Sequence, residues 1–186
     1  MSDVVGVENI AQERAQVYTH VAFKMVQATA LVAPPFSLAR QMQAFQGIGG
    51  TCFSVNRWLR NNAAWTIFFG STAGLAMAWG RLRNESDIAI HDRAYRLRHN
   101  SDQVRVDDYS KVGAILGALI TTTIFLRRAS LVNNILGGAT LGIVGGIITH
   151  TAQMVREQGA EGAAKDAQRA LPDPVAITEG VTSGKP

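Results

Sequence analysis

Apolar residues gather into four runs, separated by polar or charged stretches. The clearest run, residues 63–80, holds no charge over about 18 positions, the lower limit for a helix that crosses a bilayer. Trp65 and Trp79 stand near its two ends, where an aromatic belt would place them. Two further runs, 112–126 and 131–149, are joined by Arg127-Arg128-Ala129-Ser130. So short a link predicts an antiparallel helical hairpin with both arginines at one membrane face. Residues 20–38 form a weaker run, interrupted by Lys24 and Gln27. Pro34-Pro35 is expected to end or kink a helix there. That segment reads either as a tilted span or as a helix half-buried at the interface.

Glycines recur inside the three stronger runs at four-residue spacing: Gly70 and Gly74, Gly113 and Gly117, then Gly138, Gly142 and Gly146. In water each costs a helix about 1 kcal/mol relative to alanine. In a bilayer the missing side chain lets two helix backbones approach closely. These seven positions are therefore expected to be helix-packing faces.

The polar stretches complete the plan. Residues 1–19 are mixed and predicted helical from about Val7. Residues 39–62 read as a connector marked by Gly47, Gly49 and Gly50, with Phe45, Phe53 and Trp58 at headgroup level; the alternative is a short packed helix. Residues 81–111 carry both charge signs, with a helix predicted over Ser86–Asn100 and a turn at Asn100-Ser101-Asp102. Residues 150–170 continue as a polar helix, and a mobile tail is expected beyond Leu171. The expected fold is all-α: an integral membrane bundle of three to four glycine-rich transmembrane helices with a polar helical loop. Its divisions are an N-terminal polar segment (1–19), a membrane domain (20–150), and a polar helix with a flexible tail (151–186).

Composition supports this plan. Hydrophobic residues make up 47% and charged residues only 17%, against roughly 25% charged in a soluble domain. The net charge of +4 could suit nucleic acid, but the arginines flank apolar runs: Arg57 and Arg60, Arg81 and Arg83, Arg127 and Arg128. Such positions suit snorkelling to headgroups. Arg81, Arg83, Arg127 and Arg128 are candidate contacts for anionic lipids, such as cardiolipin, or for neighbouring subunits; no nucleic-acid partner is expected. The single cysteine, Cys52, allows no internal disulfide and reads as a packed residue. The start of the chain lacks the pattern of a secretory signal. Asp3, Glu8 and Glu13 are unlike a cleavable organellar presequence, so any organellar targeting is expected to be internal.

Reactive chemistry is sparse. No P-loop, dinucleotide fingerprint or nucleophile elbow occurs. His20, His91, His99 and His150 form no ligand pair, and there is no CxxC. No catalytic residue, cofactor or metal site is expected. No ionisable residue lies inside runs 63–80, 112–126 and 131–149, which argues against active transport. Asp107-Asp108 is expected to favour the N-terminus of the third helix electrostatically. Asn133 and Asn134, just after Ser130, are expected to cap the fourth helix or to reach across to Thr121–Thr123.

The stretch His91-Asp-Arg-Ala-Tyr-Arg-Leu-Arg-His-Asn100, then Gln103-Val-Arg-Val-Asp-Asp-Tyr-Ser110, then the glycine-rich hairpin, resembles a family of small uncharacterised fungal proteins. More distantly, the glycine-spaced runs resemble the inner-membrane translocase family of mitochondria, which includes an accessory subunit of respiratory complex I. That resemblance implies a mitochondrial inner-membrane protein. The function expected is that of a non-enzymatic accessory subunit of a respiratory-chain complex, partnered by other membrane subunits; the alternative is a component of a protein translocase.

Overall fold

A computed structural model describes the backbone over residues 2–46 and 53–170, and side chains over 9–44 and 53–157. Gly47, Gly49, Gly50, Cys52, the Phe45 side chain and the tail beyond Leu171 lie outside the described residues. Among those described, all regular structure is helical.

The first helix, α1 (Ser2–Gln46), absorbs both the polar N-terminal segment and the weak apolar run. It continues through Pro34-Pro35, so of the two outcomes expected there, an end or a kink, the end does not occur. The prolines withhold donors from the carbonyls four residues earlier, those of Ala30 and Leu31. Ser37 Oγ (3.0 Å) and Trp58 Nε1 (3.3 Å) both donate to the Pro34 carbonyl. The expected connector 39–62 is thus helical at both described ends, because α2 (Val55–Ala63) follows. The Ser54 side chain caps α2 by accepting from the Arg57 amide.

Residues 64–69 form a wider π-helical turn that leads into α3 (Gly70–Leu82). Both junction residues, Ala63 and Gly70, keep right-handed helical backbone, so residues 55–82 form one rod. The run 63–80 is therefore interrupted by the π turn and is not a plain α-helix. The wide turn buries Thr66 and leaves Phe68 74% exposed.

The helix predicted in the polar loop is α4 (Asp87–His99), with Ser86 accepting from the Ala89 amide at its start. Asn100 then ends α4 and caps α5 (Ser101–Phe125). The third apolar run is the second half of this 25-residue helix. At 1.5 Å per residue α5 is about 37 Å long. Ser130 caps α6 (Leu131–Ala170) by accepting from the Asn133 amide. The asparagines do not cap it. Asn134 Nδ2 closes the turn by donating to the carbonyls of Phe125 (3.1 Å) and Ala129 (3.2 Å). Asn133 Nδ2 donates to Asn56 Oδ1 at 2.7 Å.

The chain divides into two compact units, Met1–Ile148 and Thr149–Pro186. Residues 1–19 thus belong to the unit that holds the apolar runs. The second unit is helical through Ala170 apart from Gly159, whose φ of 71° lies in the left-handed region that favours glycine. Two helical stretches, Asn9–Ala44 and Leu131–Glu157, are long and apolar enough to cross a membrane.

Burial in the first unit is unusual. A small apolar core of Val17, Ala78, Leu82, Ile90 and Ala94 lies where α1, α3 and α4 meet. Elsewhere Leu59 and Ile143 are buried beside an interior that is largely polar or small: Asn62, Thr66, Ser110, Asn134 and Thr140 are fully or almost fully buried. Large apolar side chains point outward, among them Ile115, Leu119 and Ile124 on α5, each more than 60% exposed.

Candidate functional site: a glycine seam and a polar ladder

Helix α5 is gripped on two faces by different chemistry. Toward α6 it presents Gly113, Gly117 and Thr121. A Cβ built on Gly117 would stand 2.6 Å from the Gly142 Cα, and one on Gly138 2.6 Å from the Gly117 carbonyl oxygen. Real side-chain carbons do not approach so closely, so these positions admit glycine alone. Gly113 and Gly142 block each other in the same way through their carbonyls, and Gly146 meets the backbone of Tyr109 and Ser110. Gly70 and Gly74 bring α3 equally close to α1: a Cβ on Gly74 would lie 2.6 Å from the Ala22 Cα. All seven glycines singled out from spacing thus lie at helix–helix contacts. Gly137, outside that four-residue series, is a further one, packed against Leu59 of α2. Gly80 and Gly145 have nothing within 4 Å of a built Cβ.

Toward α1 the same helix presents Gln103, Asp107 and Ser110, spaced i, i+4, i+7 on one face. Helix α1 answers with His20, Lys24 and Gln27 at the same spacing. Lys24 Nζ lies 2.7 Å from Asp107 Oδ1, and Gln27 Nε2 donates to that oxygen (2.9 Å) and to Ser110 Oγ (3.0 Å). His20 Nδ1 stands 3.5 Å from Asp107 Oδ2. The Asp107 side chain is only 13% exposed. Because α5 begins at Ser101, Asp107 and Asp108 lie inside the helix and not at its N-terminus as expected; Asp107 binds α1 instead. Asp108 pairs with Lys111 at 3.1 Å.

The ladder continues along α1 to α4. The Glu13 carboxylate is buried, with His91 Nδ1 at 2.8 and 3.0 Å from its two oxygens and Arg98 at 3.5 Å. Arg98 Nε also donates to Gln16. These pairings join residues 78 or more positions apart in sequence, and local pattern carries no trace of them. The usable signal is the matched spacing of polar residues on two helices, with one opposite-charge pair, Lys24 and Asp107, at the centre. Lys24 and Gln27 instead read as interruptions of an apolar run.

The four candidate arginines fall at two ends of the long helices. Arg127 and Arg128 are exposed in the α5–α6 turn, which meets the start of α2 through Asn56: its Oδ1 accepts from the Ser130 amide at 3.1 Å. Neither has an ion-pair partner among the described residues. Arg81 and Arg83 lie at the other end, at the close of α3. Arg83 stacks over Trp79, 5.2 Å from the ring centre. Arg81 lines a cavity of about 770 Å³ between α1, α3, α4 and the start of α5.

Thr121 and Thr140 are buried, and Thr72 and Thr123 donate to carbonyls of their own helices.

The first unit is thus an all-helical assembly, closed by small-residue seams and a buried polar ladder and covered in apolar side chains. The chain belongs to the family described as protein of unknown function (DUF1757), whose model matches residues 2–154. No curated protein matches it.

Proposed function

We propose that this chain is a non-enzymatic membrane subunit that stabilises a larger assembly by packing. Four helical segments embed in the bilayer: α1, the 55–82 rod, α5, and α6 as far as Ile148. Helix α4 lies at the charged end. The observation that carries this reading is the inverted burial pattern. Outside the small apolar core and Leu59, mostly polar and small side chains face inward, while Phe68, Ile115, Leu119, Ile124 and Val132 face out. In water, so much exposed apolar surface would drive association; in lipid it is the stable arrangement. A core helix of a soluble protein is mostly buried, whereas the two span-length stretches are only 28% and 39% buried.

The glycine seams are used inside the chain. Neighbouring subunits are therefore met by the outward apolar ridges and by Arg127 and Arg128, and anionic lipids such as cardiolipin by Arg81 and Arg83. The host is a respiratory-chain complex of the mitochondrial inner membrane. This placement is supported by the likeness of the glycine-spaced runs to the translocase family and its complex I relative.

Alkaline carbonate extraction is expected to leave the chain in the membrane pellet; release into the supernatant would overturn the membrane reading. Native sizing of mild-detergent extracts is expected to find the chain co-migrating with a respiratory complex. Co-migration with a translocase would replace that host, and absence from mitochondria would overturn the placement.

A further inference from the structure

The cavity beside Arg81 has the makings of a ligand site. Its volume, about 770 Å³, falls within the roughly 300–1,000 Å³ usual for bound small molecules. One wall is cationic: Arg81 from α3, with Arg93 and Arg96 from α4. Asp92 is the one carboxylate that lines it, and it is paired with Arg96. That hydrogen bond and charge raise the Arg96 pKa above its ordinary value. Arg93 is held by Glu85 at 2.5 Å. Arg81 has no ion-pair partner among the described residues, so its charge is uncommitted. The rest of the lining is mainly apolar, with Val17, Val21, Met77, Ala78, Leu82 and Leu97, while His20, Asn100 and Gln103 add polar groups toward α5. Trp79, 58% exposed and next but one to Arg81, belongs at headgroup level in the membrane reading.

A site with cations at one side and an apolar floor fits an amphiphile with an anionic head. We propose that this cavity holds an anionic phospholipid: its phosphate sits against Arg81, Arg93 and Arg96, and an acyl chain lies on the apolar floor toward Met77. The inference rests on the membrane reading above, which places a lipid headgroup layer at this depth. A guanidinium suits a phosphate because its forked donors match two oxygens. The arginines of the α5–α6 turn border no such cavity, so they serve as an internal comparison.

The test uses the full chain purified in mild detergent. Binding of phosphatidylglycerol and of phosphatidylcholine with the same acyl chains is measured by native mass spectrometry. Phosphatidylglycerol is expected to be retained preferentially. Arg81→Gln breaks no ion pair and is expected to weaken that retention about tenfold, the size of one lost charge-assisted hydrogen bond. Arg127→Gln/Arg128→Gln is expected to leave it unchanged. Equal loss in both variants, or none in Arg81→Gln with the helical circular dichroism intact, overturns the site. Competition by millimolar inorganic phosphate as strong as that by the lipid would point to a soluble anion and also overturn the lipid assignment. A chain that stays soluble and monodisperse without detergent would instead refute the membrane reading itself, whatever it binds.

Discussion

The two faces of α5 show two ways of joining helices. Against α6, backbone touches backbone at Gly113, Gly117, Gly138 and Gly142, with no charge involved. Against α1, long side chains reach out, and Asp107 collects a lysine, an amide and a histidine. The first contact depends on shape and dispersion, which act only at close range and fail when any atom is added. The second depends on electrostatics and hydrogen bonding in a weakly solvated setting, where removing one partner costs more than removing both. A small-residue seam thus tolerates no enlargement, and a buried ladder tolerates no half-removal.

The strongest way to break this comparison is at the seam. Gly142→Leu places a branched side chain against the Gly113 carbonyl and 3.0 Å or less from the Gly117 Cα. Because the obstruction is backbone, we expect a loss of about 3 kcal/mol or more, at the top of the overpacking range. Gly145→Leu meets open space and is expected to stay within about 0.5 kcal/mol. Unfolding followed in detergent micelles checks the pair; similar curves for both would remove the seam's special standing.

Next in size is the ladder. Asp107→Ala strands Lys24 and Gln27 without their acceptor. Breaking a fully buried ion pair costs about 3–5 kcal/mol. Here Lys24 is 31% exposed, so about 2 kcal/mol is expected. The double variant Lys24→Met/Asp107→Leu should recover part of that loss. A double variant no better than Asp107→Ala in the same unfolding measurement would mean that the ladder does not act as a coupled pair.

The smallest effect is expected at the surface. Arg14 and Asp87 pair at 3.1 Å with side chains 35% and 60% exposed. Arg14→Ala should change stability by no more than about 0.5 kcal/mol. A larger loss would mean that ion pairing at the α1–α4 contact acts as strongly as the buried ladder.

Local chemistry was legible where it acts locally. Ser86 and Asn100, a short hydroxyl and a short amide at the edges of a polar stretch, do bound α4, because capping needs only a side chain within three residues of an unbonded amide. The four-residue glycine spacing marked helix faces for a similar reason: helical periodicity alone puts those positions in line. Pro34-Pro35 shows the reverse: local rules expect an end or a kink, and α1 runs on through both prolines. Trp58, 24 residues on, donates to the Pro34 carbonyl, a contact that chain-local rules cannot see. Gly137 was passed over because it faces α2 rather than the hairpin partner.

From the chain alone follow the helical content, the hairpin turn at residues 127–130 and the lines of small residues. Each depends on neighbours within a few positions along one helix. Only the folded arrangement decides which line meets which, that Asp107 belongs to Lys24, and that three arginines from two helices border one cavity. Those are pairings across dozens of residues, chosen by the fit of surfaces that have no shared neighbourhood in sequence.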